Sequence, residues 1–147
     1  MNAYSENANG PGLRGILYPI AFAALLPILA NALIWLGSRQ PERFFEEPAI
    51  MLFNVAWACM PFVVWAIVGS FNQRMARTYG SVTAAGLLAM LAAWGWVAWE
   101  GYRHQTAEWV DSANLGLGFV MLVLPVLVFA LMLGVSVMIS SGSNARR

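Results

Sequence analysis

Four stretches of this chain are apolar, carry no charged residue and are long enough to cross a lipid bilayer as helices. A crossing takes about 20 apolar residues in helical form. The charged fraction of the whole chain is 10%, far below the roughly 25% of soluble domains. We therefore predict an all-α membrane protein, a four-transmembrane-helix bundle in a single domain over residues 1–147. The predicted spans are approximately 15–37, 48–70, 79–99 and 114–139.

The first stretch also has features of a secretory signal peptide. Arg14 precedes its apolar run, and Ala30-Asn31-Ala32 resembles a cleavage site. The apolar run continues beyond that site to Leu36, so cleavage would leave an apolar new terminus. We therefore interpret this stretch as the first transmembrane helix.

The basic residues set the expected orientation. All eight of them are arginines. Five lie in the N-terminal tail, the second loop and the C-terminus: Arg14, Arg74, Arg77, Arg146 and Arg147. Three lie on the other side: Arg39, Arg43 and Arg103. Because cytoplasmic loops are enriched in positive charge, we predict an N-in/C-in protein, and the absence of lysine favours a bacterial inner membrane.

The third stretch is rich in small residues at four-residue spacing. They are Gly80, Ala84, Ala85, Ala89 and Ala93. Small faces let helix backbones approach closely in lipid, where no hydrophobic effect draws helices together. We predict that this helix lies at the centre of the bundle or at an interface between protein chains.

The two halves of the chain show a weak correspondence at an offset of 64 residues. Among the matching positions are Trp35 with Trp99 and Pro61 with Pro125. The alternative to a simple bundle is therefore two parallel helical-hairpin repeats, related by an axis along the membrane normal.

Embedded polar residues are few, and two of them are asparagines at matching depth. Asn31 and Asn54 each lie about six residues from the same expected membrane face. A mutual hydrogen bond is one expectation, since side-chain amides bond across helices in membranes. The other is a candidate polar pocket formed by Asn31, Asn54, Glu100 and Asn114.

A histidine and nearby acids follow the third span. If the helix continues past the membrane, spacings of four residues place Glu100, His104 and Glu108 on one face. Imidazole and carboxylate groups bind divalent metals, so these three residues are a candidate metal site. The alternative is a solvated acidic helix.

Tryptophans concentrate towards the same membrane face. Trp prefers the interface between lipid and water, so the pattern predicts an aromatic belt more than a ligand cage. The members are Trp35, Trp94, Trp96, Trp99 and Trp109.

Several kinds of chemistry find no residues here. One histidine cannot provide two axial haem ligands within one chain, and no ionisable residue lies deep in a span, where proton relays have theirs. No cofactor is predicted, and an enzyme is the weaker hypothesis. The net charge of +1 gives no reason to expect nucleic acid as a partner.

These observations predict a protein whose surroundings are the lipid bilayer and another protein. The leading hypothesis is a small non-enzymatic inner-membrane protein that binds a membrane protein partner, as an accessory subunit of a complex or an immunity-type protein. The alternative is a homo-oligomeric transporter or channel for small solutes, with a polar vestibule near the periplasmic side.

Overall fold

The computed structural model describes residues 11–36, 48–106 and 115–144, and it is helical almost throughout these ranges. The four helices are α1 (Leu13–Leu36), α2 (Pro48–Phe71), α3 (Gln73–Thr106) and α4 (Leu115–Asn144). Each contains a segment long and apolar enough to cross a membrane. The chain is therefore a multi-pass membrane protein, with four candidate membrane-spanning helices in the part that the structure describes, as the sequence predicts.

A single residue, Asn72, joins α2 to α3. Its N–H donates to the Val68 carbonyl at 3.1 Å, and its own carbonyl accepts from the Ala76 N–H at 2.9 Å. Both helices thus keep their main-chain hydrogen bonds up to the link. This leaves few of the orphan backbone groups that helix ends otherwise expose.

The third and fourth helices extend beyond the predicted spans. Helix α3 begins at Gln73 and runs to Thr106, and α4 continues to Asn144. Hydropathy marks only the apolar part of a helix. At the start of α3 the flanking glutamine, arginine and methionine are good helix formers, so the helical backbone begins before the apolar run. The extension of α4 over residues 140–144 contains only serine, glycine and asparagine, and propensity does not explain it.

Side-chain contacts show that neighbouring helices along the chain run in opposite directions. Gly69 of α2 faces Tyr79 of α3 while Phe62 faces Gly86. Gly101 of α3 faces Leu117 of α4 while Thr78 lies 3.5 Å from Ser136. Ile34 of α1 also faces Gly101, so α1 runs with α3 and against α2. The bundle is therefore up-down-up-down. We call its two ends the Asn72 end, where α2 meets α3, and the Thr106 end, where α3 stops.

Helices α2 and α3 each pack against all three of the other helices, whereas α1 and α4 scarcely meet. In cross-section α2 and α3 form the short diagonal, with α1 and α4 on either side. The most deeply buried apolar side chains, at most 1% exposed, come from all four helices: Ala23, Ala58, Phe62, Trp65, Val82, Met90, Val97 and Met132.

Glycines set the closest approaches between helices. A methyl group added to Gly69 would lie 2.9 Å from the Tyr79 ring, and one added to Gly101 would lie 2.5 Å from Ile34 Cδ1. Gly86 is similarly closed in by Met132. Glycine weakens an isolated helix, yet α3 remains helical through Gly101. The missing side chain at this position lets Ile34 of α1 pack closely against α3.

A cross-helix hydrogen bond joins α2 to the turn of α4 that precedes Pro125. Pro125 cannot donate to the preceding turn, and it is fully buried. Trp57 Nε1 in α2 donates to the Leu122 carbonyl, on that preceding turn, at 2.7 Å. The Trp57 ring is stacked on Phe53 with a centroid separation of 6.1 Å. The Trp57 bond therefore ties α2 to α4 beside the Met121 carbonyl, which is the one that Pro125 leaves without its helical donor.

We expect Gly69→Ala to destabilise the bundle, because the added methyl group meets the rigid Tyr79 ring. Overpacking lowers the free energy of unfolding by about 1–3 kcal/mol, and the better helix propensity of alanine offsets up to about 1 kcal/mol of this. Gly134→Ala is the matched control, since nothing lies within 4 Å of the methyl group there. Thermal unfolding in detergent measures both. Equal melting temperatures for the two variants would contradict the packing at Gly69.

We expect Trp57→Phe to lower the free energy of unfolding by about 1 kcal/mol, within the range measured for hydrogen bonds between membrane helices. The phenyl ring can still stack on Phe53, but the bond from α2 to the Leu122 carbonyl is lost. Trp96→Phe is the control, because Trp96 is exposed. A melting temperature for Trp57→Phe no lower than that of the control would show that the bond contributes nothing.

Candidate functional site

Asn31 does not pair with Asn54. The Asn31 amide Nδ2 donates to the Pro27 carbonyl of its own helix at 2.8 Å. Both asparagines are half-buried, and within the described ranges no hydrogen bond joins them. The expected mutual bond is therefore wrong: a backbone acceptor one turn away in the same helix takes the amide instead.

Glu100 lies near the end of α3 and belongs to an exposed ion pair. Arg103 Nη1 lies 3.4 Å from its Oε2, and the two side chains are 62% and 33% exposed, arginine first. Ion pairs this open to solvent contribute little to stability. Asn114, the fourth member of the candidate pocket, lies outside the described residues. The pocket therefore remains a prediction.

The candidate metal residues are described only in part. Helix α3 does continue past the apolar run, so Glu100 and His104 lie one turn apart on it. His104 is half-buried and has an interaction of its own. Glu108 lies outside the described ranges, and within those ranges no three potential ligands come together. Metal binding at Glu100, His104 and Glu108 remains a prediction.

The small residues of α3 divide between two environments. Gly80 and Ala84 are exposed on the outside of the bundle, whereas Ala85, Ala89 and Ala93 are half-buried. Ala89 and Ala93 form the floor of an open groove of about 530 Å³ between α3 and α4. Its α4 side is apolar throughout: Phe119, Val120, Val123, Leu124, Leu127, Val128 and Leu131.

The tryptophans do not all behave as a belt. Trp96 and Trp99 are exposed, as expected at a membrane interface, but Trp94 is only 3% exposed and belongs to the core. The belt prediction was wrong for Trp94, because it shares a helical face with buried Met90 and Val97. Trp109 lies outside the described residues.

The most deeply buried polar side chains lie towards the Asn72 end, where the sequence predicts no polar site. They are Thr78, Thr83 and Ser136. Thr78 donates to the Met75 carbonyl at 3.2 Å and also lies 3.5 Å from the Ser136 hydroxyl. Thr78 and Thr83 lie on the same helical face as Val82 and Met90, and this spacing could have indicated their burial. Single hydroxyl groups in an apolar run, however, do not predict a site.

Two indole groups and one hydroxyl are buried without a hydrogen-bond partner in the described part of the chain. They are Trp65 Nε1, Thr83 Oγ1 and Trp94 Nε1. Trp65 also escaped the sequence analysis, because a tryptophan in the middle of an apolar span resembles any other core residue. Unpaired polar atoms are costly in an apolar interior. Each of these three atoms is therefore available to form a hydrogen bond with a bound molecule.

Comparison with known proteins gives no family to which the chain can be assigned. No protein-family model, no curated protein and no solved structure matches it. Its function must therefore be argued from its own geometry.

Proposed function

We propose that this protein is a non-enzymatic membrane protein that binds a transmembrane helix of another protein through the outer face of α3. We define that face by five exposed residues on one side of the helix: Gly80, Ala84, Leu88, Leu91 and Gly95. Small residues lie at its two ends and leucines between them. Such a surface suits close packing against a second helix within lipid.

The observation that carries this proposal is that two glycines of this face have no role inside the bundle. A methyl group added to Gly80 or Gly95 would meet nothing within 4 Å. By contrast, Gly86 and Gly101 lie where other helices approach closely. Glycine weakens a helix relative to alanine. The exposed glycines of this face are best explained by close approach of a helix from outside.

The chemistry of the chain fits an accessory subunit of a membrane complex or an immunity-type protein. None of the five residues that define the outer face of α3 is charged or polar, and Ser81 is the exposed hydroxyl beside them, so recognition there depends chiefly on shape. Specificity can come from the fit of the partner's side chains against Gly80 and Ala84 and around Leu88 and Leu91. Self-association through the same face is the simplest variant of this proposal.

The orientation that accompanies the proposal places the Asn72 end in the cytoplasm. Arg14 and Arg77 are exposed at this end, and Arg103 is exposed near the other. Together with the arginines in the loop and terminal segments, this distribution favours cytoplasmic termini. We propose a bacterial inner membrane as the location.

If the chain is a helical-hairpin repeat, its two hairpins are not related by strict two-fold symmetry. Pro61 and Pro125, which correspond in the repeat, are both fully buried. Strict two-fold symmetry would make the contact between α1 and α4 match that between α2 and α3. Instead α2 packs on α3, while α1 and α4 scarcely meet.

We expect Ala84→Leu to remove a stoichiometric partner that co-purifies with the full chain in mild detergent. The larger side chain holds the two helix backbones apart at the point of closest approach. Because Ala84 is exposed, the substitution should leave the melting temperature of the bundle unchanged. The measurement is the amount of partner relative to the tagged chain, or the homo-oligomer fraction if the partner is a second copy.

The matched control is Ala130→Leu on α4, the same change at an alanine that is also exposed. This variant should retain the partner. Partner binding unchanged in Ala84→Leu, or a wild-type chain that purifies as a monomer with no partner, would rule out binding through the outer face of α3.

The second candidate function is a homo-oligomeric small-solute transporter. It is supported by the half-buried Asn31 and Asn54 towards the Thr106 end and by the buried, unpaired Trp65 and Thr83 in the other half. Buried polar groups in a membrane protein are common along solute pathways. Within the described ranges, however, the groove of about 530 Å³ is lined almost entirely by apolar atoms, which favours helix binding.

We expect purified protein in liposomes to give no more osmotic swelling with small polar solutes than protein-free liposomes. Swelling by the wild type that disappears in the Asn31→Ala, Asn54→Ala double variant would establish the transporter instead. Leu88→Ala, a change on the exposed side of α3, controls for general effects on reconstitution.

A further inference from the structure

The interface between α2 and α3 contains two buried polar groups that lack hydrogen bonds. Trp65 in α2 is fully buried, and Thr83 in α3 is 5% exposed. Neither Trp65 Nε1 nor Thr83 Oγ1 has a hydrogen-bond partner among the residues that the structure describes. In a membrane-spanning bundle, unsatisfied polar groups are strongly unfavourable because lipid offers no replacement.

The register of the two helices places these groups at the same level. Gly69 faces Tyr79, and Phe62 faces Gly86. Because α2 and α3 are antiparallel, this register sets Trp65 opposite Thr83. Both lie on the buried faces of their helices, so the indole N–H and the hydroxyl share one interface.

The interface is closed on both sides of this level. Towards the Asn72 end, the Tyr79 ring packs so closely on Gly69 that an added methyl group would lie 2.9 Å away. Towards the Thr106 end, Phe62 and Met132 close around Gly86. Because Trp65 is fully buried and Thr83 is 5% exposed, lipid cannot reach the two polar groups, and whatever satisfies them must be held within the bundle.

The chemistry of the groups selects the guest. An indole N–H can only donate, whereas a threonine hydroxyl can donate and accept. The Tyr79 hydroxyl, one turn earlier on α3, also interacts with Thr83, although outside hydrogen-bonding geometry with its Oγ1. A bound molecule must accept a hydrogen bond from Trp65 and form hydrogen bonds with hydroxyl groups. Water does both, and a buried water molecule typically has two to four polar neighbours.

We propose that the bundle holds one water molecule between Trp65 and Thr83, near the Asn72 end. The water accepts from Trp65 Nε1 and donates to Thr83 Oγ1, and the Tyr79 hydroxyl is its third neighbour. It links α2 to α3 between the Gly69 and Gly86 contacts and fixes their register without a direct side-chain bond.

The test uses the indole N–H resonances of the full chain, labelled with ¹⁵N-tryptophan, in detergent micelles or nanodiscs. Trp65→Phe identifies the Trp65 resonance by its disappearance. The wild-type Trp65 indole should show a cross-peak to long-lived water. In Thr83→Val this cross-peak should be lost and the Trp65 resonance should shift, whereas Thr83→Ser should retain both wild-type features.

Two controls isolate the effect. Thr78→Val removes another buried hydroxyl of α3, one that is bonded to Met75 and Ser136, and should leave the Trp65 resonance unchanged. The Trp94 indole, also buried and unpaired but farther along α3, should not respond to Thr83→Val.

Two results would overturn the proposal. A Trp65 resonance without a water cross-peak that nevertheless shifts in Thr83→Val would show a direct bond between the two side chains. A Trp65 resonance that has no water cross-peak and is insensitive to Thr83→Val would show that the indole bonds elsewhere. The absence of a water cross-peak in the wild-type protein is enough to contradict the proposal. The test therefore does not depend on the folding of the Thr83 variants.

Discussion

The constraint on which this structure depends is that a chain in lipid must satisfy its backbone hydrogen bonds internally. Four prolines lie within the helices and face the interior: Pro19, Pro27, Pro61 and Pro125. The polar side chains largely serve the backbone. Asn31 donates to the Pro27 carbonyl, Trp57 to the Leu122 carbonyl and Ser70 to the Ala66 carbonyl. This explains why Asn31 does not pair with Asn54: a main-chain acceptor lies within reach of its own side chain.

With the backbone satisfied, packing decides the arrangement of the helices, and glycine decides the packing. Gly69, Gly86 and Gly101 each lie where another element comes so near that a methyl group would not fit without movement. Gly80 and Gly95 have open space instead. The same residue type in one helix thus has two different explanations. The inward glycines build the bundle, and the outward glycines are what make the outer face of α3 a candidate binding surface.

The four helices could be predicted from sequence because each crossing needs a long apolar run, and such runs are visible without knowing which side faces inward. The side was harder to predict. These helices are apolar all round, so no amphipathic pattern separates a core face from a lipid face. The sequence predicts the same interfacial position for Trp94 and Trp96, yet Trp94 is 3% exposed and Trp96 is 49% exposed. The buried Thr83 and Trp65 were missed for the same reason, since burial depends on helix rotation and register.

The two proposed features of α3 lie at one level of the bundle and reinforce each other. Thr83 faces inward, and the next residue, Ala84, is exposed on the outer face. A water-mediated link from Thr83 to Trp65 would fix the rotation of α3 at the turn where a partner helix approaches. Binding is tighter when the surface is ordered beforehand, because less conformational entropy is lost on association. In this proposal the buried polar groups would serve recognition without touching the partner, because they would hold Gly80 and Ala84 facing outward in one fixed orientation.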